Sequence, residues 1–301
     1  MSRILPLLAL PAALFGTVAA AQLGLPPVGG ALGNPLETVR GVVDPLADAA
    51  APVARSATEL ARARTERLAR LVRRNPEAIE LDRAGHPARR GELLLLSPGP
   101  DIGATVQAAG FAVIGTERLD TLELDVVRLR VPAGLSLAKA QILLEQLAPG
   151  SQVSADTLYS GAGGMQGKSA ARPASRPAIS TPVGMIDGAP AAAGKASTVR
   201  AFANGGPKAS NHGTAVASLL TGNGVNRLLA ADVYGADPAG GNALAIGKAI
   251  DWLAASGARV VTISLVGPEN PLLARAIAAG QRRGLIFVAA VGNDGPAAPP
   301  S

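Results

Sequence analysis

Three short apolar runs in the last third of the chain, Val183–Asp187, Val260–Leu265 and Leu285–Val291, alternate with stretches of helical spacing at Ala243–Ser256 and Leu272–Arg283. A strand that is apolar on both faces belongs in a sheet covered on both sides, and strands that alternate with helices require a parallel sheet. The pattern predicts an α/β class of fold with a doubly wound, mostly parallel sheet over residues 181–301. Gly257 follows the Ala243–Ser256 helix as a stop signal.

Upstream, Glu92–Leu96 reads as a strand, Ile102–Ala109 as a helix, Phe111–Leu119 and Leu122–Val131 as a strand pair, and Leu137–Leu147 as a helix, with a further strand at Val153–Leu158. That order is a split β-α-β unit, a small α+β domain of ferredoxin-like type over residues 90–160. Its topology says nothing about function. Residues 161–180 string together Gly, Ala, Ser, Arg and Pro and read as a linker. Residues 22–89 read as a flexible leader followed by an amphipathic helix, Ala54–Arg74, with Ala57, Leu60, Ala61, Leu68, Leu71 and Val72 on one face. A solvent-exposed helix packed on its own chain accounts for that pattern, and His86 sits in a Gly-His-Pro turn without an evident role.

Residues 1–21 have the layout of a cleaved export signal: Arg3, an apolar run from Ile4 to Phe15, then Ala19-Ala20-Ala21. The run is too short for a spanning helix and holds Pro6 and Pro11, so the mature chain is expected to be exported, secreted or periplasmic, with no stable membrane span. The net charge is +6, but many of the arginines lie between Arg55 and Arg90 among acidic residues and without aromatic platforms. No nucleic-acid partner is expected from such a solvated helix. The absence of cysteine excludes disulfides, thiolate metal sites and a cysteine nucleophile.

The chemistry-bearing residues lie at strand and helix ends. Asp187 closes the first apolar run, at the carboxyl edge where parallel sheets meet their ligands, although Asp-Gly after a strand also fits an ordinary turn. His212 stands in Asn211-His212-Gly213-Thr214-Ala215-Val216-Ala217-Ser218, at the mouth of a small-residue helix where Gly213 permits close backbone approach. Asn293 lies in Gly292-Asn293-Asp294-Gly295 after the last apolar run, a setting that a turn asparagine also fits.

Together, and in the order Asp then His, these boxes resemble the subtilisin-like serine proteases over roughly Pro182–Pro299. The resemblance implies that the chain is a serine endopeptidase hydrolysing peptide bonds of proteins. Asp187 would orient His212, His212 would act as general base and acid, and Asn293 would stabilise the oxyanion. Ser264, Leu265, Val266 and Gly267 would form the edge that pairs with an extended protein or peptide substrate. The family also implies that residues 90–160 act as an inhibitory prodomain in cis. No cofactor is required for such chemistry, and structural calcium is left open.

Nothing after Asn293 resembles the family's Gly-Thr-Ser-type box, and Ser218, Ser256 and Ser264 sit in none of the expected nucleophile settings. Gly188 stands where Thr or Ser is frequent, and Ala215 where a second His is often found. Two protein types follow: a protease fragment lacking its nucleophile, or a secreted non-catalytic pseudoprotease that binds peptides. A nucleotide-binding protein is disfavoured because neither a Walker lysine box nor a Gly-x-Gly-x-x-Gly follows the first strand of the last third.

Overall fold

The computed structural model describes residues 59, 62–63, 65–99, 101–162, 177–191 and 197–292. The signal-like segment, the leader, the first turns of the amphipathic helix, most of the linker and Asn293 lie outside them. Residues 51–301 cluster as one compact unit that contains two five-stranded sheets.

Residues 65–74 form helix α1, whose Leu71 and Val72 pack against Ile79, Leu158 and Ala239. The strand expected at Glu92 begins earlier, because Pro87–Leu96 is continuous (β2) and pairs antiparallel with Ile79–Leu81 (β1). Then follow α2 (Ile102–Ala108), β3 (Ala112–Leu119), β4 (Leu124–Arg130), α3 (Leu137–Leu147) and β5 (Gln152–Thr157). β2 pairs with both β4 and β5, and β3 pairs with β4, all antiparallel. The spatial order β5-β2-β4-β3 is that of a split β-α-β sheet, with β1 beside the first half of β2.

Every residue of Leu93-Leu94-Leu95-Leu96 is at most 2% exposed, because both faces of this sheet are covered. Leu93 and Leu95 meet Val106 of α2 and Leu137, Ala140 and Leu144 of α3. Leu94 and Leu96 join a second core built with helices of the parallel-sheet half.

That half contains β7 (Val183–Asp187), β8 (Ser197–Ala201), α4 (Asn211–Gly222), β9 (Leu228–Asp232), α5 (Ala243–Ala255), β10 (Val260–Ile263), α6 (Pro271–Arg282) and β12 (Ile286–Ala289). The strand order is β12-β10-β7-β9-β8 and every pair is parallel, so β7 is central. Met185 and Ala230 pack with Ala217 of α4, whereas Ile186 and Ala231 pack with α5, which places helices on both faces. This is the doubly wound arrangement predicted for residues 181–301. β8 and β9 were not anticipated. Two strands of two residues each, β6 (Ser160–Gly161) and β11 (Leu265–Val266), pair with each other and not with the large sheets. The run read as one strand over Val260–Leu265 therefore divides: β10 ends at Ile263, and Leu265 turns to a different partner.

Helix starts follow the caps in the sequence. Ser210, Asn242 and Asn270 each accept a backbone N–H from the first turn of the helix behind them, and Gly257 takes a left-handed φ of 78° just past α5. Among the described residues no helix is long and apolar enough to cross a membrane.

Candidate active site

Because β7 is the central strand and its five residues are all buried, its carboxyl end delivers Asp187 into the middle of the sheet edge at 1% exposure. Oδ1 accepts the N–H of Gly188 at 2.7 Å, and Oδ2 lies 2.7 Å from His212 Nδ1. The imidazole comes from the first turn of α4. That turn is fixed to the Asp187 turn by two bonds, Ser210 N–H to Ala189 O at 2.8 Å and Ala191 N–H to Thr214 Oγ1 at 2.9 Å, and is itself capped by Gly213 N–H donating to Ser210 Oγ at 2.9 Å. A Cβ on Gly213 would fall 2.0 Å from Gly188 O, so the two turns touch only because that position is glycine.

The other ring nitrogen, Nε2, faces the carbonyl oxygen of Ala162 at 2.6 Å. Ala162 follows β6 in an extended segment of which the sequence reading assigned Gly161 and Ala162 to a linker. Its N–H donates to Ser264 O at 2.8 Å, and β6 pairs antiparallel with β11, Gly161 opposite Leu265 and Ser160 opposite Val266. On the opposite edge, Leu158 bridges Asn242 and Tyr159 N–H donates to Gly241 O at 2.8 Å. Tyr159 Oη donates to Pro268 O at 2.6 Å, and Tyr234 Oη donates to Tyr159 O at 3.1 Å. Gly267 leaves the room that the Tyr159 ring fills, since a Cβ there would come 2.2 Å from it. Ser264, Leu265, Val266 and Gly267 thus all meet residues 159–162, on the strand edge beside His212. Asn293 lies outside the described residues. Sequence reasoning missed Ala162 and Tyr159. Sequence reasoning also missed Ser210, although a serine just before the helix of the His212 box is a capping signal.

An ionised carboxylate and a carbonyl both only accept hydrogen bonds, so His212 satisfies both partners as an imidazolium. Burial alone would lower its pKa; the Ala162 carbonyl and then the Asp187 charge outweigh this and hold it above the ordinary value of 6.5. For Asp187, burial pushes the carboxyl up, opposed by the Gly188 N–H and by His212. A histidine raised in the folded state contributes stability that is complete below its unfolded pKa and is lost as pH rises through the folded one. We expect a nitrogen-detected NMR titration to place His212 above its free value, and Asp187→Asn to bring it down; a midpoint unchanged by Asp187→Asn would contradict the pairing.

Among the described residues no group of three or more His, Cys, Asp or Glu side chains could hold a metal ion. Nor does a described serine bond His212. Ser210 caps α4, Ser218 Oγ donates to Thr214 O at 2.8 Å, and Ser264 contributes its carbonyl to Ala162.

Residues 203–301 match the model of the subtilase family (Peptidase_S8). No curated protein matches the chain. Among solved structures, the chain is similar in fold to fervidolysin from Fervidobacterium pennivorans, a keratinolytic enzyme related to subtilisin, with TM-score 0.52 and 13% identity over 68% of this chain and 40% of that one. The epidermin leader peptide processing serine protease of Staphylococcus aureus aligns with TM-score 0.43 and 15% identity, over 69% of this chain and 61% of that one. The chain therefore spans 40% and 61% of these two structures. The likeness to the subtilase family thus covers residues 203–301, which hold His212 and the sheet strands β9, β10 and β12.

Proposed function

We propose that this chain carries the Asp–His half of a subtilisin-like serine endopeptidase that hydrolyses peptide bonds in unfolded or loop segments of proteins. The observation that carries the reading is the 2.7 Å Asp187–His212 pair at the end of the central parallel strand, beside an edge that already holds an extended peptide segment. In the reaction, His212 Nε2 takes the proton of a serine hydroxyl as its oxygen attacks the substrate carbonyl, then passes that proton to the leaving amine. Asp187 keeps the proton on Nδ1 and stabilises the imidazolium. Asn293 is assigned the hydrogen bond to the tetrahedral oxyanion. The nucleophile is assigned to no residue of this chain.

On the same reading, residues 90–160 are an inhibitory prodomain in cis, continued by Gly161 and Ala162. Its tail, Ser160–Ala162, takes the place of a substrate strand, and the Ala162 carbonyl takes the position beside Nε2 that the serine hydroxyl needs. The signal-like start supports export of the mature protein.

The 301-residue chain alone is expected to show no serine-protease turnover; hydrolysis by it that disappears in His212→Ala would contradict this. The reading itself is tested on the full-length product of the source gene, assayed on an unfolded protein. We expect hydrolysis that falls at least ~10³-fold in His212→Ala. Activity that survives this substitution overturns the reading, and peptide binding without any hydrolysis favours a non-catalytic peptide-binding protein.

A further inference from the structure

The contact between the two sheets contains a carboxylate with too few partners. Asp156, on β5, is 1% exposed. Its Oδ1 accepts the N–H of Leu244 at 2.9 Å, in the first turn of α5, while its Oδ2 has no hydrogen bond. The nearest cation, Arg89 of β2, stands with Nε 3.5 Å from Oδ2, but gives its hydrogen bonds to Asp237 Oδ2 at 2.8 Å and Ala239 O at 3.2 Å. Arg128 of β4 is likewise committed, to Glu92 of β2 at 2.6 and 3.1 Å and to Glu117 of β3 at 3.4 Å, and Lys248 of α5 meets Glu117 at 2.7 Å. From α6 the neighbouring group is the neutral Asn270, bonded to Ser154 and Thr157 on either side of Asp156. Within this network Asp156, Asp237, Glu92 and Glu117 face Arg89, Arg128 and Lys248, four acidic groups against three basic ones. The most deeply buried acid is the one without a full partner.

We propose that Asp156 is a proton-operated latch between the N-terminal sheet and the parallel-sheet half: the proton balances the buried network and seats β5 on α5, and its loss leaves an excess negative charge that loosens the contact. Burial raises the carboxyl to about 7, opposed by the Leu244 N–H, assisted by Glu92, and opposed again by Arg89 and Arg128. An acid raised in the seated state makes that state tightest below its free pKa, near 3.8, and weaker as pH climbs from there to about 7, with no further change above. β6 follows β5 and runs past His212, so the latch sets how firmly the tail covers that histidine. This last consequence rests on the catalytic reading above; the latch does not.

The test is amide hydrogen exchange of the full chain at pH 5 and pH 7.5, corrected for intrinsic rates and read at Leu244 and along β5, away from His212. Opening there is expected to rise more than ~10-fold between the two, within the ~10-fold per pH unit that one proton allows. Asp156→Asn, which carries the uncharged form permanently, is expected to abolish the rise. Equal opening at both pH values in the wild type, or the same rise in Asp156→Asn, overturns the latch. Should Asp156→Asn fail to fold, the ¹³C shift of the wild-type Asp156 carboxyl decides: a midpoint near ~7 supports the latch and one near ~4 overturns it.

Discussion

Gly213→Ala is expected to destabilise the protein by roughly 3 kcal/mol and to separate Asp187 from His212, although it adds a single methyl group. The added carbon would lie 2.0 Å from Gly188 O, 2.7 Å from Gly188 C and 2.9 Å from Ser210 Oγ. Two of these are backbone atoms, so no rotamer change relieves the clash. Either the turn after β7 moves and takes Asp187 with it, or the first turn of α4 tilts and takes His212. Urea denaturation measures the first effect, and the NMR signal of the His212 Nδ1 proton measures the second. A variant within ~1 kcal/mol of the wild type that keeps this signal would mean the turns are looser than described.

A comparable loss is expected from Asn270→Ala, at a residue 3% exposed that serves both halves of the molecule. Its Oδ1 accepts the N–H of Leu272 at 2.9 Å and so starts α6, while its Nδ2 donates to Ser154 Oγ, Thr157 Oγ1 and Ala155 O at 2.9, 2.9 and 3.1 Å. Losing the cap costs about 1 kcal/mol. Each buried group left without a partner adds about 1 to 3 kcal/mol, so a total near 3 kcal/mol is expected once Ser154, which also donates to Ala155 O, is discounted. Asn270→Ser, which restores an acceptor for the helix but not the bonds to β5, should recover only about 1 kcal/mol. Full recovery by Ser in urea denaturation would show that the bonds to β5 contribute nothing.

What the sequence revealed of this molecule divides along physical lines. Asp187 and His212 were legible because each sits where an apolar run or a capped helix begins or ends, and those boundaries are set by nearby residues. β9, Leu228–Asp232, was not anticipated: an alanine-containing run of five residues shows neither clear alternation nor β-branching, and its identity as a strand comes from lying between β7 and β8. β6 and β11 are each two residues long and are strands only because they pair with each other. The partner of His212 Nε2 was invisible for a different reason. It is a main-chain carbonyl, a group every residue carries, delivered by a segment whose composition reads as linker. Asn270 was not singled out either: its cap-type position before Pro271 carries no sign of the side-chain bonds it makes to β5.

The leucine run of β2 leaves its alignment with β4 and β5 unspecified by hydrophobicity. In most strands a slip of one position turns apolar side chains out to water and is punished at once. Here a slip would replace leucine by leucine over most of the run, and both faces are covered. Alignment must therefore be encoded in polar chemistry, and Glu92 supplies it: only 5% exposed at the head of the run, it reaches Arg128 through two hydrogen bonds. A shift by one residue would carry that carboxylate to the opposite face of the sheet, away from its guanidinium. This buried ion pair acts as a spelling check on an otherwise ambiguous word, excluding misaligned sheets that the leucines alone would accept.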